Sequence, residues 1–135
     1  MQRTDSDDAQ QAVMQVTLFS FGYKYGLPDA DTVWDIRFLP NPYYVPELKD
    51  KTGLERDVAA YVLNNARTVH FLSFFEPCLL SFLRSHEEAG REAIRLAVGC
   101  TGGKHRSVAI VEHVKRIMRD HAVETQVFHR DMEKE

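Results

Sequence analysis

Apolar residues fall along the chain in short runs of strand type and longer stripes of helical period. Residues 13–21 carry Val16, Leu18, Phe19 and Phe21, a β-favouring run that predicts a strand. It stops at Gly22-Tyr23-Lys24-Tyr25-Gly26-Leu27-Pro28, a loop bracketed by glycines. Residues 31–39 predict a second strand centred on 32–38, where Asp35 and Arg37, two apart, share a face. An ion pair at the strand's wet end and contact with a ligand are both open readings of these two charges. Pro40-Asn41-Pro42-Tyr43-Tyr44-Val45-Pro46 then forms a stiff aromatic loop, because proline removes donors and restricts its predecessor. Such a loop beside a pocket can wall off a ligand or stack on a base.

Residues 54–64 predict a short helix with Leu54, Val58, Tyr61 and Val62 on one side. Residues 69–88 predict a long one, with a kink or break near Ser73 because Pro77 interrupts the stripe. Phe71, Phe75, Cys78 and Phe82, with Leu72, Leu79 and Leu83, give it a broad apolar face, so Cys78 reads as buried filler. Residues 93–99 are nearly continuous apolar residues, as in a central strand. A helix from 107 to about 119 points Ile110, Val111, Val114, Ile117 and Met118 inward. It turns Glu112, Lys115 and Arg116 outward, with His113 at the surface. A last strand covers 124–128 and runs into His129-Arg130-Asp131.

This alternation predicts an α/β fold in three layers, a mostly parallel sheet with helices on both faces. In such sheets ligands bind beyond the carboxyl ends of the strands. Polar groups stand at four of these ends: Lys24; Asp35 and Arg37; Cys100 to Ser107; and His129 with Arg130. The third holds the chain's strongest local signal, Gly99-Cys100-Thr101-Gly102-Gly103-Lys104-His105-Arg106-Ser107 between a strand and a helix. Glycines permit a tight turn, and first-turn N–H groups with the helix dipole favour an anion. Lys104, His105 and Arg106 add side-chain donors. Arg106 is expected at a solvent-facing junction.

Totals narrow the partners. Net charge is −3, so any nucleic-acid surface is a local patch. Residues 1–12 are polar and read as a disordered tail, leaving 13–135 as a single ligand-binding domain. Two cysteines, Cys78 and Cys100, make no disulfide framework. With no signal peptide and no membrane-length apolar run, a cytoplasmic setting without membrane contact is expected. No His/Cys/Asp/Glu cluster has metal-ligand spacing, so neither metal nor cofactor is expected.

The loop is not a Walker A sequence: Val98 stands where the first glycine belongs and His105 replaces Ser/Thr. Cys100, five residues, Arg106 and Ser107 instead spell C-x5-R-S, similar to the phosphate loop of cysteine-dependent phosphatases. In those the thiolate attacks phosphorus and the Arg clamps the oxygens; Gly99 occupies the position of the usual preceding His.

Further segments carry a longer resemblance. These are Phe19-Ser20-Phe21-Gly22-Tyr23-Lys24-Tyr25-Gly26, Asp29-Ala30-Asp31, and Asp35-Ile36-Arg37-Phe38-Leu39-Pro40-Asn41-Pro42-Tyr43. Thr52-Gly53-Leu54, the 99–108 loop and His129-Arg130-Asp131 complete it. In this order, over about residues 16–133, they resemble the C-terminal domain of the RapZ family of RNase adapter proteins. Full-length members carry an N-terminal P-loop ATP-binding domain; none is read here, so ATP hydrolysis is not carried over. The resemblance implies a domain that senses an amino-sugar phosphate, glucosamine 6-phosphate, binds small regulatory RNA and forms a homo-oligomer. By matching positions, Lys24, Asp35, Arg37, Cys100, Thr101, Gly102, His105 and Arg106 would line the sugar-phosphate pocket, with Gly103 and Ser107 completing its loop. Lys24, Tyr43 and Lys104 would face RNA. Some members end in a basic tail where this chain ends Arg130-Asp131-Met132-Glu133-Lys134-Glu135, which leaves fewer groups to neutralise phosphates.

Two functions follow from different classes. One is a non-catalytic sensor that binds a phosphorylated amino sugar or related small anion and acts through RNA or a regulatory protein. The other is a cysteine-dependent phosphatase with Cys100 as nucleophile and Arg106 as clamp, needing Asp35 or Asp131 as general acid.

Overall fold

The computed structural model describes residues 13–134; the predicted polar tail lies outside them. Four strands form one all-parallel sheet in the order β2-β3-β1-β4. They are β1 (Gln15–Gly22), β2 (Thr32–Asp35), β3 (Ala93–Cys100) and β4 (Thr125–His129). Three helices, α1 (Arg56–Leu63), α2 (Ala66–Glu88) and α3 (Arg106–Asp120), complete an architecture consistent with a three-layer α/β fold.

The two central strands explain their own sequences. On one face of β1 and β3, Val16, Leu18, Ile94, Leu96 and Val98 join residues of all three helices in the main core. On the other, Phe19, Phe21 and Ala97 are covered by Tyr23 and Ala30, from the connection between β1 and β2. Burial on both faces is what a continuous apolar run requires.

Several expectations change. The second strand stops at Asp35, well short of 39. Arg37 donates its N–H to Asp35 Oδ1 at 3.0 Å, and Leu39 donates to the Ile36 carbonyl at 3.1 Å, so the chain turns where a strand would continue. The long helix begins at Ala66 and runs unbroken through Pro77. Pro77 lies on the exposed side, while Thr68, Leu72, Phe75, Leu79 and Leu83 anchor the opposite side, so packing outweighs one missing hydrogen bond. Cys78 is exposed, as it sits beside Pro77 off the buried stripe. In α1 only Val58 and Val62 are buried; Leu54 and Tyr61 face solvent. In α3 Glu112 is not simply outward-facing: its Oε2 lies 2.7 Å from His129 Nε2. His113 is likewise half-buried, 2.7 Å from Glu76 on α2.

Candidate functional site

Register sets the site. Gly22 pairs with Cys100 and Asp35 with Gly99, so β1, β2 and β3 end together at one edge of the sheet. The 101–105 loop leaves β3 at this edge and is pinned from both sides. Lys24 N–H donates to the Thr101 carbonyl at 3.1 Å, and Gly53 N–H to the Lys104 carbonyl at 2.9 Å. Gly103 has φ +72°, and a Cβ there would stand 2.6 Å from Gly22 N. A Cβ on Gly22 would in turn stand 2.5 Å from the Gly102 carbonyl carbon. The backbones touch only because both positions are glycine.

Beyond the loop lies a cleft of about 450 Å³. Among the sequence-predicted residues, Lys24, Tyr43, Cys100, Thr101, Gly102, Lys104, His105 and Arg106 line it. Asp35, Arg37, Gly103 and Ser107 do not. Asp35 and Arg37 instead close on each other through two side-chain hydrogen bonds of 3.0 and 2.7 Å, both half-exposed. Hydrogen bonds from Arg37 hold the Asp35 carboxyl below the usual carboxylate range.

Arg106 opens α3 and differs from expectation. It is 4 % exposed, not solvent-facing. Its Nη1 donates to the Arg37 carbonyl at 2.6 Å and the Leu39 carbonyl at 3.2 Å, so it buckles the turn after β2 onto α3. Its Nη2 lies 3.4 Å from Thr101 Oγ1, and its buried Nε has no hydrogen-bond partner. A permanent cation with an unpaired donor, at a helix N-terminus whose N-cap side chain makes no capping bond, can hold an anion. His105 is 6 % exposed, and its Nε2 donates to the Lys49 carbonyl at 2.9 Å. Burial pulls its pKa below the ordinary value, so the ring is neutral at pH 7 and serves as a pin for the 45–55 loop.

Cys100 is 2 % exposed, with Sγ 3.2 Å from Ser107 Oγ and 3.4 Å from Ser107 N. Phosphatase chemistry needs a nucleophile that substrate can reach and a carboxylic acid that still holds its proton. The thiol is buried and hydrogen-bonded to Ser107, and one nitrogen of the Arg106 fork, Nη1, is engaged by two backbone carbonyls. Of the two candidate acids, Asp35 is held ionised by Arg37. Burial pushes the fully enclosed Asp131 carboxyl up, but hydrogen bonds from Arg130, Lys134 and Gly22 N–H outweigh it and leave it below the usual range.

Sequence reasoning missed Asn41, Tyr44, Lys49, Asp50 and Lys134, which also line the cleft. The proline-rich loop signalled Tyr44 and Asn41 only as a wall; nothing marked Lys49, which arrives through the His105 pin. Asp131 was missed as an anchor. Its carboxylate takes the Gly22 N–H at 2.7 Å and Lys134 Nζ at 2.6 Å, fastening the C-terminal turn to the end of β1. Among the charged strand ends, Arg130 is engaged by Asp131 and the Gly26 carbonyl, and His129 by Ser20 and Glu112, all away from the cleft.

Residues 14–133 match the family described as the RapZ C-terminal domain. The chain is 45 % identical over 131 residues to a protein named nucleotide-binding protein from Caldicellulosiruptor saccharolyticus, covering 96 % of this chain and 45 % of that one. It is 45 % identical over 132 residues to one of the same name from Lactiplantibacillus plantarum (97 % and 43 %). It is 47 % identical over 127 residues to another from Streptomyces coelicolor (93 % and 42 %). The chain therefore spans less than half the length of these curated relatives.

Proposed function

The chain belongs to the RapZ C-terminal domain family, and from that premise we propose that its cleft is the sensing site of a non-catalytic adapter. The ligand is a phosphorylated small metabolite, an amino-sugar phosphate of the glucosamine 6-phosphate kind. The observation that carries this is Arg106, buried at the N-terminus of α3 with Nε unpaired, in a cleft that also holds Lys24, Lys49, Lys104 and Lys134. Phosphate suits that set better than a neutral sugar does, because, of its cations, only Lys134 is paired with a carboxylate among the described residues. Asp50, the one carboxylate on the rim, is placed to receive an ammonium or hydroxyl group of the sugar. Occupancy would be passed on through a regulatory protein or a small RNA, in the cytoplasm and within a homo-oligomer. Lys24, Tyr43 and Lys104 are the residues facing an RNA. No helix among the described residues is long and apolar enough to cross a membrane.

A thermal-shift series with glucosamine 6-phosphate, glucosamine and glucose 6-phosphate, with released phosphate assayed in parallel, tests the reading. It expects a rise in melting temperature with the two phosphates, a larger one with the amino sugar, and no phosphate release. Phosphate release that disappears in Cys100→Ser would replace the sensor with the phosphatase. RNA binding at the rim is expected to weaken steeply with salt; binding that ignores salt would remove RNA as the partner.

A further inference from the structure

The cleft is richer than a sugar monophosphate requires, in charge and in exposed aromatic surface. Lys24, Lys49 and Lys104 line it without a salt bridge to a carboxylate among the described residues, and the buried Arg106 lines it too. Four cations carry more charge than one phosphate dianion neutralises. Tyr43 and Tyr44, also in the lining, form an edge-to-face pair, ring centroids 5.4 Å apart. Lys49 Nζ sits 4.7 Å over the Tyr43 ring, and Tyr44 is 79 % exposed. Exposed rings are costly in water, and this pair is held rigid. Pro42 sits buried at the first position of the turn that carries them, and Asn41 Oδ1 accepts the Tyr43 N–H at 3.1 Å. A fixed aromatic face beside a row of ammonium groups is how proteins hold a base next to its phosphates.

We infer that the cleft takes a nucleoside diphosphate, free or linked to a further group. One phosphate lies at the α3 N-terminus over Arg106, the second lies between Lys49 and Lys104, and the base stacks on Tyr44. This rests on the reading of the loop as a phosphate site and adds a second phosphate and a base to it. A single nucleotide is favoured over a nucleic-acid strand because the cations converge on one cleft of about 450 Å³ in a chain of net charge −3.

Calorimetric titration of the 135-residue chain with inorganic phosphate, pyrophosphate and uridine 5′-diphosphate is the test. Pyrophosphate binds about tenfold tighter than phosphate, and uridine 5′-diphosphate about tenfold tighter again, the increment of one stacked base. Tyr44→Ala, at an exposed position, keeps the parent melting temperature and pyrophosphate affinity and loses the extra affinity of the nucleotide. Lys104→Ala weakens pyrophosphate and nucleotide together. A nucleotide no tighter than pyrophosphate, or a Tyr44→Ala variant that binds it as the parent does, overturns the base subsite and leaves the phosphate loop standing. Failure of phosphate and pyrophosphate alike overturns the loop reading itself. An eight-nucleotide uridine RNA that binds far more tightly than the diphosphate overturns the single-nucleotide ligand.

Discussion

At the scale of residues, two buried donors tie the loop to its surroundings, and each has a measurable signature. Arg106 hydrogen-bonds two carbonyls that have no strand partner once β2 has ended. Truncation strands both carbonyls, and a hydrogen bond to a charged group contributes about 1.5–3 kcal/mol. Arg106→Ala should therefore lose about 2 kcal/mol or more of stability as well as anion affinity, measured by urea unfolding. An unchanged midpoint would show that the turn holds without it. His105 makes stability depend on pH. Burial keeps its folded pKa below the ordinary 6.5, so the unfolded chain takes up a proton first as pH falls. Its contribution is complete above that value and is lost on descending towards the folded pKa. Urea midpoints between about pH 7 and pH 5.5 should fall in the parent and fall less in His105→Gln, whose amide can still donate to Lys49. Equal slopes would assign the loss to other groups. Sequence alone gave the chemistry of these side chains but not their burial. Lys-His-Arg reads as a solvated basic run, and only the return of residues 37–39 and 49 onto the start of α3 encloses it.

At the scale of elements, the strand–loop–helix unit from β3 to α3 was the most legible part of the chain, because a two-faced apolar run followed by paired glycines has few other uses. Less legible was the division of labour between the glycines. Gly103 combines positive φ with contact against Gly22, whereas a Cβ on Gly102 would meet nothing within 4 Å. Gly103→Ala should cost at least about 2 kcal/mol, and Gly102→Ala about 0.5 kcal/mol or less. A thermal melt of the pair separates backbone strain from a general need for glycine; equal losses would contradict the assignment. Pro77 misled for a related reason. Its local cost predicts a break, but the buried Leu72, Phe75, Leu79 and Leu83 hold α2 together. Pro77→Ala restores a backbone donor on the exposed side and should stabilise the protein by about 1 kcal/mol or more. A destabilised variant would mean that the proline shape is used. β2 was overextended because Ile36, Phe38 and Leu39 are strand-like by composition. The Asp35 carboxylate, capturing the Arg37 N–H, decided the turn.

At the scale of the whole molecule, the parallel order β2-β3-β1-β4 brings three strand ends and the N-terminus of α3 to one end of the sheet. A cleft at those strand ends was readable from the alternation of elements. The contribution of Tyr44, Lys49 and Asp50 to it was not, because residues 41–50 reach it through tertiary contacts that leave no period in the sequence. A second cleft, of about 350 Å³, lies at the other end of α3 between Lys115, Arg119 and Thr125 and has no such convergence of donors. The central claim, that the 101–107 loop is the phosphate site, is tested most directly by following backbone amide resonances while glucosamine 6-phosphate is added. The account predicts saturable shifts concentrated at Thr101 to Ser107 and Lys24. Shifts centred on Lys115 to Thr125, or none at millimolar ligand, would contradict it.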